Sequence, residues 1–179
     1  MNRFRLVLPL TLVVLGVAFS LPGCGVFSGG GTAAARSLKE DPKVAWLHCQ
    51  ISGRRDGACA WDNINQASEG RPARRSCYGN APGGSVRLNP RMLRGMRRLT
   101  NKGYTFRVTA LAGASHSRNS RHYSGLAFDI DTLNGQRISW SHPDWRRFLA
   151  DCRKLGATET LGPGDRGHST HLHVAWPRD

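Results

Sequence analysis

Apolar and polar positions change period several times along this 179-residue chain, and each change marks an expected element. Leu6 to Leu21 is an apolar run of 16 residues behind Arg3 and Arg5. It is shorter than the roughly 20 residues that span a bilayer, and it reads as the core of an export signal. From Val86 to Lys102 the period is helical. Met92, Leu93, Met96 and Leu99 make one stripe, and Arg91, Arg94, Arg97 and Arg98 cover the other face. Asn89 suits the N-cap, Pro90 the first helical position and Gly103 the stop. Tyr104 to Leu111 reads as a strand. Leu126 to Asp131 alternates, with Phe128 and Ile130 on one face and Ala127, Asp129 and Asp131 on the other. Trp145 to Leu155 returns to a helical stripe of Trp145, Phe148, Leu149, Cys152 and Leu155, ended by Gly156. Thr158 to Leu161 is a short strand. His171 to Trp176 alternates again, with His171, His173 and Ala175 opposite Leu172, Val174 and Trp176. These elements imply an α+β domain with a small, mostly antiparallel sheet and helices on one side.

Lys43 to Gly84 shows no sustained period and is expected to be a loop-rich, Cys-rich cap, with Trp46 and Trp61 as core anchors rather than carbohydrate-stacking platforms. Four cysteines, Cys49, Cys59, Cys77 and Cys152, follow the apolar leader. An even number in an exported chain suggests two disulfides, and Cys49–Cys59 with Cys77–Cys152 is one of three possible pairings. Leu21-Pro22-Gly23-Cys24 resembles a lipobox. Residues 1–23 then form a lipoprotein signal peptide, and lipidated Cys24 holds the chain to a membrane of the cell envelope. Residues 24–42, rich in Gly, Ala and Ser, read as a flexible tether, leaving 43–179 as one domain.

Lys and Arg number 26 against 12 Asp and Glu, for a net charge of +14. Such a charge often accompanies nucleic acid, but no nucleic-acid motif occurs here. Anionic lipid head groups and cell-wall polymers suit an exported, monomeric protein better.

Five of the seven histidines fall in two neighbourhoods, with His116 and His122 in one and His168, His171 and His173 in the other. If the strands at 126–131 and 171–176 are neighbours, Asp129 and His173 meet on one face of the sheet. Ala127 and Ala175 leave room there, and Gly125 lets the loop carrying His122 approach closely. Two imidazoles and a carboxylate, with one position open, make the ligand stoichiometry of catalytic zinc. The loop Gly162-Pro163-Gly164-Asp165-Arg166-Gly167 lacks the Lys-Ser/Thr of a phosphate loop and reads as a rim to the cleft.

Ser120-Arg121-His122, Gly125, Ala127 and Asp129, followed by His171-Leu172-His173, resemble the zinc D-Ala-D-Ala carboxypeptidase and murein endopeptidase family. The hedgehog signalling domain is the branch nearest in local texture, and the likeness runs from about Val86 to Trp176. It implies zinc (Zn2+) held by His122, Asp129 and His173, and His171 as general base, because Thr170 stands where the family often has Glu. It also implies an Arg near the substrate carbonyl. Val108 to Leu111 runs almost directly into Gly113 and His116, so Arg118 and Arg121 are candidates by position. His116 would line the site, Ser120 and Asp131 would orient ligands, and His168 would sit at the rim. The implied activity is hydrolysis of peptidoglycan stem or cross-link peptides. Two rivals are a non-catalytic, zinc-containing wall-binding or signalling module and a periplasmic zinc carrier.

Overall fold

The computed structural model describes residues 30–178. Its elements, in chain order, are α1 (Gly30–Lys39), β1 (Val44–Trp46), α2 (Ala60–Ser68), β2 (Ala73–Arg74), β3 (Ser85–Val86), α3 (Pro90–Asn101), β4 (Phe106–Ala110), β5 (Ala127–Leu133), β6 (Gln136–Arg137), α4 (Trp145–Lys154), β7 (Glu159–Leu161) and β8 (Leu172–Ala175). The main sheet has the order β1-β4-β5-β8-β7, with β6 beside β5, and β2 pairs with β3 separately. Only β1 runs parallel to its neighbour; the other pairs of this sheet are antiparallel. The expected α+β class and mostly antiparallel sheet are therefore present.

Alternation divides the sheet into two faces. Phe106, Val108, Phe128, Ile130, Leu172, Val174 and Trp176 join one buried cluster, to which all four helices contribute through Leu38, Ile64, Met92, Met96 and Phe148. Each fully buried side chain of this kind is worth about 1.5–3 kcal/mol. Arg107, Asp129, Asp131 and His173 occupy the opposite, polar face. There Arg107 Nε donates to Asp131 Oδ1 at 2.8 Å and Arg137 Nη1 to Oδ2 at 3.0 Å. Burial opposes charge on Asp131, but these guanidinium groups outweigh it and hold the carboxyl below its ordinary value.

Helix α3 forms as its caps dictate. The Asn89 side chain accepts from the N–H groups of Arg91 and Met92, Pro90 opens the helix, and Gly103 (φ +96°) lies beyond its end. Gly95 packs against Trp176, just past the end of β8. A Cβ there would lie 2.4 Å from Trp176 Cζ2, so the helix sits down on the indole only because residue 95 has no side chain.

Three expectations are corrected. The tether assigned to 24–42 is helical from Gly30 to Lys39, and Ala35 and Leu38 are fully buried. Its small residues allow α1 to pack closely on α2 and α3, a use that composition alone does not separate from a linker. The cap assigned to 43–84 contains β1, α2 and β2, although Trp46 is a core residue as expected. The two disulfides are not made: Cys49, Cys59, Cys77 and Cys152 are all free. Cys152 lies in the core stripe of α4 while Cys77 is on an exposed loop, so that pair has no route to bonding. Cys59 is buried ahead of α2, and burial pushes its thiol up to about 11. The expected signal peptide and the lipidated Cys24 lie outside the described residues.

Gly95→Ala would ordinarily favour a helix by about 1 kcal/mol. Here the collision with Trp176 should reverse the sign and cost about 1–3 kcal/mol, read as a lower midpoint in thermal or urea unfolding; an unchanged or higher midpoint would refute the contact. Asp131→Asn should destabilise the chain at pH 7. Because the folded carboxyl is depressed, its stabilisation is present above the ordinary carboxylate value of about 3.9 and is lost as pH falls through the folded value. The gap between wild type and variant should thus close in acid, and a gap independent of pH would contradict the assignment.

Candidate metal centre

The centre stands where β5 and β8 pair. Their register places Asp129 directly opposite His173 and Ala127 opposite Ala175, so two alanines flank the polar pair and leave space above it. The third group arrives on a short 3-10 turn, Arg121–Ser124, capped by the Ser120 hydroxyl, which accepts from the His122 N–H. Gly125 ends the turn at φ +69°, and a Cβ there would lie 2.3 Å from the Arg87 carbonyl oxygen. Both the left-handed backbone and the close approach require glycine. The turn is thereby fixed against the chain leading into α3, where the Asn89 N–H donates to the Gly125 carbonyl.

His122 Nε2 lies 3.1 Å from Asp129 Oδ1 and 3.1 Å from His173 Nδ1, and His173 Nδ1 lies 2.8 Å from Asp129 Oδ1. All three residues are buried. The outer hydrogen bonds determine which nitrogen carries each proton. His122 Nδ1 is 2.7 Å from the Leu111 carbonyl, which can only accept, so Nδ1 holds the proton and Nε2 turns a lone pair inward. His173 Nε2 is 2.9 Å from Glu159 Oε1, so in the neutral ring Nε2–H donates outward and Nδ1 turns its lone pair inward. Three acceptors then face one another with no donor between them. Two ligands 2.0–2.1 Å from a tetrahedral zinc lie about 3.3 Å apart, and the three separations fall just inside that value. The donor set and its outer partners fit a metal ion.

The charges agree. Burial opposes ionisation of Asp129, but His122 and His173 outweigh it and hold its carboxyl well below the usual range. Burial likewise opposes a charge on His173, yet Asp129 and then Glu159 raise its pKa. A proton on His173 relieves the crowded acceptors in the free chain, and metal uptake would release it.

His116 is the fourth group. Its donor atom and those of His122 and Asp129 all lie within 4.8 Å of one another, a set that could also hold a metal ion. Its ring stacks on His122 with centroids 4.0 Å apart and planes 9° from parallel. An imidazole binds a metal in its own ring plane, so two parallel rings at that distance cannot both direct lone pairs at one ion. In this arrangement His173 completes the tight set and His116 lies over it. Burial, with His122 adding, lowers the His116 pKa to about 4. Tyr123 clamps the His116 loop, its hydroxyl accepting from the His116 N–H at 2.7 Å and donating to the carbonyl at 3.3 Å.

A cavity of about 450 Å³ lies over the centre and is lined by His116, Arg121, His168 and His171 among others. His171 is half-buried, and burial lowers its pKa, which keeps the ring neutral at pH 7. Its ring centroid is 4.7 Å from that of His168, which sits at the rim as expected. Arg121 reaches the cavity, with Nε 3.8 Å from Glu159 Oε2. Arg118 is exposed and does not line it, because the 116–120 loop turns its side chain to solvent. Asp131 is likewise removed from the expected ligand-orienting role, since Arg107 and Arg137 engage it.

Two supporting residues were not anticipated. Glu159 fixes the His173 tautomer, and Tyr123 fixes the His116 loop. Neither has a local signature. Glu159 belongs to an edge strand whose register against β8, with Leu161 opposite His173, brings it within reach diagonally. No family model matches the chain, and comparisons with curated proteins and with solved structures find no match.

Asp129→Ala should abolish tight metal binding by the folded chain. Glu159→Ala should weaken it by about 10–100-fold, the usual consequence of removing a ligand's outer partner. Titration with zinc against a competing chelator measures both, and full affinity in Asp129→Ala would refute this centre.

Proposed function

We propose that the chain is a zinc peptidase of the cell envelope that hydrolyses peptidoglycan stem or cross-link peptides. The observation that carries this reading is the convergence of three acceptor atoms beneath an open cavity that also holds a neutral imidazole and an arginine. The resemblance of the His122–Asp129 and His171–His173 segments to zinc D-Ala-D-Ala carboxypeptidases and murein endopeptidases points the same way. A basic chain is suited to stem peptides, which carry free carboxylates.

His122, Asp129 and His173 would hold the zinc, which when bound activates water near neutral pH and polarises a carbonyl. His171 takes the proton from the attacking water as the water oxygen bonds to the scissile carbon. It then returns that proton to the amine nitrogen as the C–N bond breaks. Arg121 offsets the negative charge that develops on the carbonyl oxygen. Glu159 holds both His173 and Arg121 in place from one carboxylate.

One observation favours a second reading. His116 is near enough to become a fourth protein donor if its ring turns, and a fourth donor closes a zinc site and makes it structural. The chain would then be a non-catalytic wall-binding or signalling module.

The two readings part at His171. If it is the base, His171→Ala should keep its zinc and lose about 10²–10⁴-fold in peptide hydrolysis, whereas His173→Ala should lose both zinc and activity. Zinc content and cleavage of purified peptidoglycan, followed by mass, give the answer. Wild-type chain with a full complement of zinc and no cleavage would leave only the second reading.

A further inference from the structure

Helix α3 carries four arginines and no acidic residue. Its apolar stripe joins the core and Gly95 rests on Trp176, so the arginines lie on the outer side of the helix. That side is remote from the metal centre, which stands on the opposite face of the sheet. Arg91, Arg94 and Arg98 are exposed, and their i, i+3, i+7 spacing puts them on one helical face. They line a cavity of about 270 Å³ with Leu155, Gly156 and Trp176, and no carboxylate is among its lining residues. Other cations of the chain are committed to acidic partners. Arg97, on the same helix, meets Asp41 at 2.6 Å, Arg107 and Arg137 hold Asp131, and Arg121 faces Glu159. Arg94 and Arg98 make no ion pair or side-chain hydrogen bond among the described residues.

The described chain begins at this same place. A Cβ on Gly30 would lie 3.3 Å from Arg94 Nη1, and one on Gly31 would lie 3.3 Å from Pro90 at the start of α3. In the sequence, the lipobox-like Cys24 stands six residues before Gly30, and the apolar run Leu6–Leu21 ends nine residues before it. At about 3.3–3.6 Å per residue, six residues reach about 20 Å at full extension. A leader held in a membrane thus keeps this end of α3 within about 20 Å of the head groups. Guanidinium groups suit the phosphates found there, because their paired N–H donors match phosphate oxygens in charge-assisted hydrogen bonds.

We infer that the arginine face of α3 docks on the anionic phospholipid head groups of the membrane that holds the leader. Docked in this way, the domain directs its metal cavity away from the bilayer. The contact is electrostatic. Trp176 is only 1% exposed, and the exposed large apolar side chains of the described residues, Ile51 and Trp140, are not at this cavity. Salt should therefore weaken it. The inference uses the expected leader and is independent of the hydrolase reading, so either can fail while the other stands.

The test reconstitutes the full chain in vesicles of phosphatidylcholine alone and of equal parts phosphatidylcholine and phosphatidylglycerol. Arginines are modified with phenylglyoxal and mapped by mass. Arg118, exposed on the loop beside the metal cavity, serves as the internal control. Arg94 and Arg98 should react about fivefold more slowly in the phosphatidylglycerol vesicles, the factor that the attraction of one arginine to an anionic surface supports. Arg118 should react equally in both. Raising salt from about 0.1 to about 1 M shortens the screening length from about 10 to about 3 Å and should remove the protection. Equal reactivity of Arg94 and Arg98 in the two vesicles would overturn the inference. Protection of Arg118 to the same degree or more would also overturn it, because binding would then follow net charge or the metal-centre side rather than this face. Protection of Arg94 and Arg98 by soluble polyphosphate but not by phosphatidylglycerol vesicles would overturn the membrane as partner and give the face to a phosphate polymer.

Discussion

Three acceptor atoms are held closer together than their own electrostatics would allow, and most of the site is an arrangement that enforces this. His122 Nε2, Asp129 Oδ1 and His173 Nδ1 repel one another unless a proton or a metal ion lies among them. Separate parts of the fold supply the constraint. The β5–β8 register fixes Asp129 against His173. The Ser120-capped turn and Gly125 bring in His122. The Leu111 carbonyl and the Glu159 carboxylate then commit the outer ring nitrogens as donors, so the inner ones are left as acceptors. Packing of the apolar sheet face on the helices pays for this: Phe128, Leu172, Val174 and Trp176 alternate with the polar residues on the same strands.

The strand alternation also explains why the site lies under an open cavity. The helices contribute to the apolar cluster on the other face. Residues of the 116–120 and 167–171 loops line the cavity over the polar face and the centre, and Gln50 lines a second cavity beside it. Gln50 is held by hydrogen bonds to Asp56 and Ser76, and the same Ser76 hydroxyl accepts from the Ala114 N–H. That network fixes the β4-side wall relative to the His116 loop. Arg107 and Arg137 neutralise Asp131 beside the centre, so Asp129 is the one carboxylate of β5 left to face the imidazoles.

The elements around the centre were legible in sequence because each has a local cause. Asn89 and Pro90 start α3 through hydrogen bonding and a fixed φ, and alternation places Asp129 opposite Phe128 and Ile130, and His173 opposite Leu172 and Val174, within each strand. Gly125 could be read as a point of close approach because only glycine tolerates one. The errors also share a cause. The Gly- and Ala-rich segment 30–39 has the composition of a linker, yet small residues equally permit a helix to pack tightly, and α2 and α3 decide between the two. Four cysteines satisfy the parity expected of disulfides, but parity carries no distance information. Cys152 was already a member of the core stripe of α4.

By itself, then, the sequence determined the α+β class, the helical and strand periods and the polar side of each strand on which Asp129 and His173 stand. These follow from residue type and spacing within one segment, and no other part of the chain can alter them without breaking backbone geometry. Tertiary structure alone decided that His116 stacks over His122, that Glu159 fixes the His173 tautomer and that Arg121 rather than Arg118 reaches the cavity. Each of these depends on the order of strands in the sheet and on loops packed against one another, and separations of that kind leave no periodic trace in the chain.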